Sequence, residues 1–135
     1  MDLNNAELIV GRNAFMQKLA DLTIVYLSDD ISVGGSQEML IAKYYNKPLV
    51  GIAAREGKFN KSKKEVLGKV YENYIDPYVK VTCDKVVEDI DQLAEYLKNG
   101  FKDLTVTKIR DAIDDPVTYY EQNFLDNDTY VKKLL

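Results

Sequence analysis

Histidine is absent from this 135-residue chain. That absence excludes Ser-His-Asp and Cys-His nucleophile pairs, histidine general bases and histidine metal sites. Cysteine occurs once, as Cys83. No intramolecular disulfide can form, and no cysteine cluster can hold zinc or an iron–sulfur centre. Cys83 is expected as a buried or half-buried thiol in a reducing compartment. Proton chemistry must therefore use Asp, Glu, Tyr, Lys or water, and neither a metal site nor a cofactor is expected. A basic excess is also lacking: 18 Lys and Arg stand against 22 Asp and Glu, a net charge of −4. Without a broad cationic field, neither a nucleic-acid polymer nor an anionic membrane is expected as the main partner, although a local cationic pocket stays open. No apolar run approaches the roughly 20 residues of a membrane helix. The opening Met1-Asp2-Leu3-Asn4-Asn5 is acidic and amide-rich, unlike a secretory leader, and a cytosolic location is expected.

What is present is the composition of one globular domain, 46% hydrophobic and 30% charged. A chain of this length can bury a core without covalent staples. Asn5 to Ala20 reads as a helix with Leu8, Phe15 and Leu19 on one stripe, weakened by Gly11. Leu22 to Leu27 is short, β-branched and apolar on both faces, which predicts a buried parallel strand rather than an edge strand. A polar loop, Ser28 to Gly35, leads to a helix over Ser36 to Asn46 that Lys47-Pro48 ends. Leu49 to Ala53 is a second buried strand, so Thr23 to Ala53 forms a strand–helix–strand unit. Ser62-Lys63-Lys64-Glu65 has the form of a capping box and predicts a helix carrying Val66, Leu67, Val70, Tyr71 and Tyr74, stopped by Pro77. A third strand falls within Tyr78 to Val87. Asp89 caps a helix that Asn99-Gly100 terminates. Residues 101–135 form a helical C-terminal extension, in which Val106, Ile109 and Ile113 make an apolar stripe and Asp115-Pro116 reads as an N-cap and first helical position. The expected architecture is a three-layer α/β sandwich with a small parallel, flavodoxin- or Rossmann-like sheet over residues 1–100. The extension packs on that domain or on a second subunit.

The segment that carries chemistry is Asp29 to Glu38, between the carboxyl end of a strand and the start of a helix. Ligands of parallel sheets bind at that edge. Gly34 and Gly35 permit close backbone approach, the helix start favours an anion, and Ser32 and Ser36 add hydroxyls. Glu38, expected in the first helical turn, can stabilise or attack an oxocarbenium-like centre. Sugar–base cleavage suits a site without histidine or metal. A first-turn glutamate that only complements the helix dipole is the plainer alternative. Asp29 and Asp30 read as solvated loop residues, and Lys61, Lys63 and Lys64 as a solvated cluster or a phosphate contact from a lid.

Ala20 to Leu27, Ser32-Val33-Gly34-Gly35-Ser36-Gln37-Glu38 and Asn46-Lys47-Pro48-Leu49-Val50 together resemble the core of the nucleoside 2-deoxyribosyltransferase superfamily, which includes the 2-deoxynucleoside 5-phosphate N-hydrolases. The resemblance covers Arg12 to Ala53, loosens towards Leu97 and does not reach the tail. It implies a glutamate nucleophile at Glu38 acting on the anomeric carbon of deoxyribose. It implies a phosphate contact at Ser32, where nucleoside transferases tend to carry aspartate, and a variant Gly-rich turn at Gly34, Gly35 and Ser36. The position that often assists proton transfer to the base is Asn13 here, which cannot donate an acidic proton but can hydrogen-bond base or ribose. The family's first strand and its glycine-containing loop have no counterpart, since the chain passes from Met1-Asp2-Leu3-Asn4 into the first helix. Two function classes follow. One is an N-glycosidase or deoxyribosyltransferase acting on a nucleotide or nucleoside. The other is a catalytically impaired nucleotide-binding module or assembly subunit. A homo-oligomer is expected under both, because a sheet edge without its neighbour is usually covered.

Overall fold

The computed structural model describes residues 4–101 and 104–135. Met1 to Leu3, the start of the segment read as replacing a first strand, lie outside the described residues, as do positions 102 and 103. The chain is an α/β domain with a three-stranded parallel sheet and a helical C-terminal segment. Helix α1 (Ala6–Leu19) is capped by Asn5, whose side chain accepts from the Leu8 amide. It is followed by β1 (Thr23–Tyr26), α2 (Val33–Tyr44) and β2 (Leu49–Ile52). A two-stranded antiparallel hairpin, β3 (Asn60–Val66) and β4 (Lys69–Ile75), comes next. Then follow α3 (Pro77–Thr82), β5 (Lys85–Val87), α4 (Ile90–Lys98), α5 (Ile109–Asn123), a 3-10 turn at Leu125–Asn127, and α6 (Thr129–Lys132).

The parallel sheet has the order β1-β2-β5. Thr23 pairs with Leu49 and Tyr26 with Ile52, while Val50 pairs with Lys85 and Ile52 with Val87. The central strand β2 is buried throughout. One of its faces, with Leu27, Met39, Ala42, Leu49, Val79 and Cys83, packs under α2 and α3. The other, with Val50, Ile52, Val87 and Leu93, packs on α4. These two cores make the layers. Asn46 ends α2 at φ 55°, and the Lys47 amide reaches back to the Ala42 carbonyl at 2.9 Å, a left-handed helix stop that turns the chain into Pro48 and β2.

A buried ion pair ties the layers to the extension. Lys43 and Asp84 have side chains with 0% exposure and bond to each other. Asp84 also accepts from the Leu49 amide at 2.8 Å and, through its other oxygen, from the Thr107 amide at 2.8 Å. The segment leading into α5 is thus fixed to the sheet, and α5 lies against α2 and α3.

Five sequence expectations are corrected. β1 is an edge strand: Ile24 and Tyr26 face outward, Tyr26 at 66% exposure, because no strand lies beyond β1 among the described residues. Helix α2 begins at Val33, not Ser36, since Ser32 caps it by accepting from the Gly35 amide at 3.0 Å. The Ser62–Glu65 segment is strand rather than a capped helix. Ser62 gives both its amide and its hydroxyl to the Glu56 carboxylate, and Leu67-Gly68, at φ 50° and 78°, makes a two-residue hairpin turn. Pro77 accordingly opens α3 instead of closing a longer helix, with Asp76 accepting from the Tyr78 and Val79 amides. Finally, Asp115-Pro116 lies inside α5 rather than at its start. The apolar stripe read on α1 is present in position but uncovered: no residue of that helix is buried.

Candidate functional site

The outer edge of β1 forms the floor of a groove between α1 and the start of α2. In a parallel pair, alternate residues bond to opposite sides. Thr23 and Leu27 donate to β2-side carbonyls at 2.9 Å, which leaves the backbone groups of Ile24 and Tyr26 pointing into the groove. The groove has two adjoining parts. One, of about 450 Å³, runs along Thr23 to Tyr26 past Ser28, Asp30, Ser32 and Gly35. The other, of about 430 Å³, is walled by Met16, Ala20, Leu22 and Ile24. Glu38, Gln17 and Thr23 line both.

Glu38 is half-buried at the junction. With Ser32 as cap it falls in the second turn of α2 rather than the first, so the dipole role expected of a first-turn glutamate does not account for it. Asn13, 25 residues earlier on α1, donates from Nδ2 to Glu38 Oε1 at 2.9 Å. This bond fixes one carboxylate oxygen of a side chain that lines both parts of the groove. Met39, beside Glu38 in sequence, is buried in the core, which holds the α2 backbone at this turn.

The remaining predicted residues divide. Ser32 sits at the groove's helix-start end, with its Oγ already accepting from the Gly35 amide. Its hydroxyl hydrogen stays available to a ligand. The N–H groups of Val33 and Gly34 have no intrahelical acceptor. Gly35 also lines the groove. A Cβ there would come within 3.1 Å of Ile31 Cγ1, so the helix start packs closely on its own loop. Ser36 lies elsewhere: its hydroxyl donates to the Val33 carbonyl at 2.8 Å, and it lines a separate apolar cavity with Leu27, Met39 and Phe59. Gly34 lines neither groove part. Asp30 lines the groove, whereas Asp29 accepts from the Lys58 amide at 2.8 Å and pins the β1–α2 loop to the loop after β2. Lys61, Lys63 and Lys64 belong to the hairpin, where Lys64 lies 4.2 Å from the centre of the Tyr74 ring.

Two groove residues escaped the sequence reading. Gln17 Oε1 and Thr23 Oγ1 are buried and have no hydrogen-bond partner in the protein. Gln17 stands four residues after Asn13, on the same face of α1, and that spacing was the available signal. No group of three or more Cys, Asp or Glu side chains among the described residues is placed to hold a metal ion. Cys83 is buried and lines neither part of the groove, and burial pushes its thiol up to about 12. Among the described residues no helix is long and apolar enough to cross a membrane. No protein-family model, curated protein or solved structure matches this chain.

Proposed function

We propose that the chain is an N-glycosidase or 2-deoxyribosyltransferase acting on a nucleoside or nucleotide, with Glu38 as nucleophile. The observation that carries the reading is the Asn13–Glu38 hydrogen bond of 2.9 Å at the floor of an open groove. A carboxylate held through one oxygen beside a ligand-sized space is placed to attack an electrophilic carbon. In the first step the free oxygen of Glu38 bonds to the anomeric carbon. The carbon–nitrogen bond breaks, and its electron pair leaves on the base, which takes its proton from solvent because Asn13 has none to give. In the second step water, or the ring nitrogen of a second base, attacks the same carbon and releases the Glu38 carboxylate. Asn13 is a positioning residue in this scheme. Replacing it by Leu lowers kcat more than it raises KM, and Asn13→Asp adds a limb on which activity falls as pH rises through the titration of the new acid.

Rapid acid quenching of the protein with a deoxynucleoside, followed by mass spectrometry, tests the reading. One deoxyribosyl group on the peptide containing Glu38 supports it. An unmodified peptide during active turnover removes Glu38 from the nucleophile role.

The second reading, a binding module without turnover, is favoured by one specific feature. Glycosidases usually pair two carboxylates across the scissile bond, and Glu38 is paired with an amide. Base binding without base release would identify it.

We also propose self-association in the cytosol. The chain exposes 9934 Å², against about 7,200 Å² for a folded monomer of its mass. The excess exceeds what a standard interface buries per partner, about 800 Å². An apolar groove of about 560 Å³ lined by Leu40, Tyr78, Val81, Ile113 and Val117 is the surface a second copy would cover. Light scattering that gives a dimer or larger species supports this, and a monomer at micromolar concentration refutes it.

A further inference from the structure

Gln17 Oε1 and Thr23 Oγ1 are each buried, each without a partner in the protein, and both beside Glu38. Buried polar groups are ordinarily hydrogen-bonded, and a fold that keeps two bare ones in a single groove forgoes stability there. Their surroundings indicate what would satisfy them. The α1-side part of the groove has apolar side chains, Met16, Ala20, Leu22 and Ile24, and polar side chains at Asn13, Gln17, Thr23 and Glu38. Flat apolar walls with a few convergent hydrogen-bonding atoms suit a planar heterocycle. The opposite part, with Ser28, Asp30 and Ser32, is polar. Neither part is lined by Lys or Arg, while Glu38 and Asp30 contribute carboxylates. The Gln17–Thr23 end therefore suits an uncharged group that donates hydrogen bonds, not a phosphate.

We infer that Gln17 and Thr23 recognise a base where the two groove parts meet: the amide oxygen and the hydroxyl take the N–H edge of a neutral nucleobase that lies against the apolar side chains of the α1-side part, and the sugar extends past Glu38 towards Ser32. This deepens the glycosidase reading and rests on it for the orientation of the ligand. The binding claim itself does not need turnover.

The test uses the 135-residue chain and four free bases (adenine, guanine, cytosine and thymine) titrated by calorimetry into wild type, Thr23→Val and Gln17→Met, with the melting temperature of each. Val matches Thr in shape and Met suits a helix, so neither variant should disturb folding. At least one base binds wild type. Affinity falls about tenfold in Thr23→Val and in Gln17→Met, with melting temperatures equal to wild type or higher. Unchanged affinity in the two variants overturns the inference and leaves the Glu38 reading standing. A lower melting temperature in both variants marks the pair as structural and overturns it as well. Failure of wild type to bind any base overturns it outright. Base binding with the expected variant pattern but no base release from any nucleoside upholds this inference and removes the glycosidase reading.

Discussion

Replacing Asp84 by Ala removes the acceptor for three donors at once: the Lys43 ammonium and the amides of Leu49 and Thr107. Lys43 is fully buried and cannot reach water without moving α2. Breaking a buried pair by deleting one partner costs about 3–5 kcal/mol, chiefly through the uncompensated charge that remains. Each orphaned amide adds about 1–3 kcal/mol if it stays buried. The Thr107 amide escapes that cost if the segment before α5 peels off, so the lower part of the sum applies. A loss of about 4 kcal/mol is a large share of the 5–15 kcal/mol typical of a domain. It lowers the melting temperature by about 10–20 °C for a chain of this size. Urea unfolding gives the free energy, and hydrogen exchange at Leu49 and Thr107 gives the location, with Thr107 losing protection first. Adding Lys43→Met removes the stranded charge, so the double variant is more stable than Asp84→Ala alone. A loss under about 1 kcal/mol in Asp84→Ala, or a double variant that is worse than the single, refutes the reasoning.

Gly51→Ala places a Cβ 2.9 Å from both Cys83 Sγ and Leu27 Cδ1 in the central strand. It lowers stability by about 1–3 kcal/mol in urea unfolding, as overpacking does. Leu67 holds a left-handed φ of 50° at the hairpin tip with 99% exposure. Leu67→Asn raises stability by up to about 1 kcal/mol, or slows exchange across β3 and β4, because Asn tolerates that conformation. Cys83, pushed up to about 12 by burial, reacts with a thiol reagent at pH 8 only after denaturation. The Asp128 carboxylate is held below its ordinary value of 3.8 by the Val131 amide and then by the Tyr120 hydroxyl. A depressed carboxylate contributes stability above its unfolded value and loses that contribution as pH falls through the folded one. Protection at the Tyr130 and Val131 amides, relative to their intrinsic exchange rates, therefore falls as pH drops through that range, and does so no longer in Asp128→Asn.

The legible parts of the fold were those where a hydrophobic period met a clear stop. Leu49 to Ala53 reads as a buried strand because five apolar-compatible residues follow Lys47-Pro48; each is buried, and the strand covers Leu49–Ile52. Asp89 was legible as a cap, and it does accept from the Gln92 amide at 2.8 Å. The β3–β4 hairpin was not legible. Most of its side chains are exposed, so no face imposes a period of two, and a leucine stands where a turn-former would signal the hairpin. Gly34 and Gly35 read as loop because they are poor helix formers, but a strong cap at Ser32 draws them into the first turn. Pro116 reads as a helix start, yet Asp84 pins Thr107, and about two turns of α5 form ahead of the proline. The apolar strand β1 was expected to be covered on both sides, and sequence gives no account of what neighbours an edge. At the site, Asn13 and Glu38 were each singled out, whereas their pairing needed the packing of α1 on α2. Gln17 and Thr23 carried no motif, and only their unsatisfied burial marks them.

The central claim is that Glu38 attacks the sugar of a nucleoside or nucleotide. Its most direct test is chromatographic base release from a panel of deoxynucleosides and their 5-monophosphates, with wild type and Glu38→Gln compared at equal folded concentration. The account predicts release by wild type that falls at least about a thousandfold in the variant. Equal release by both, or no release by wild type from any member of the panel, contradicts it.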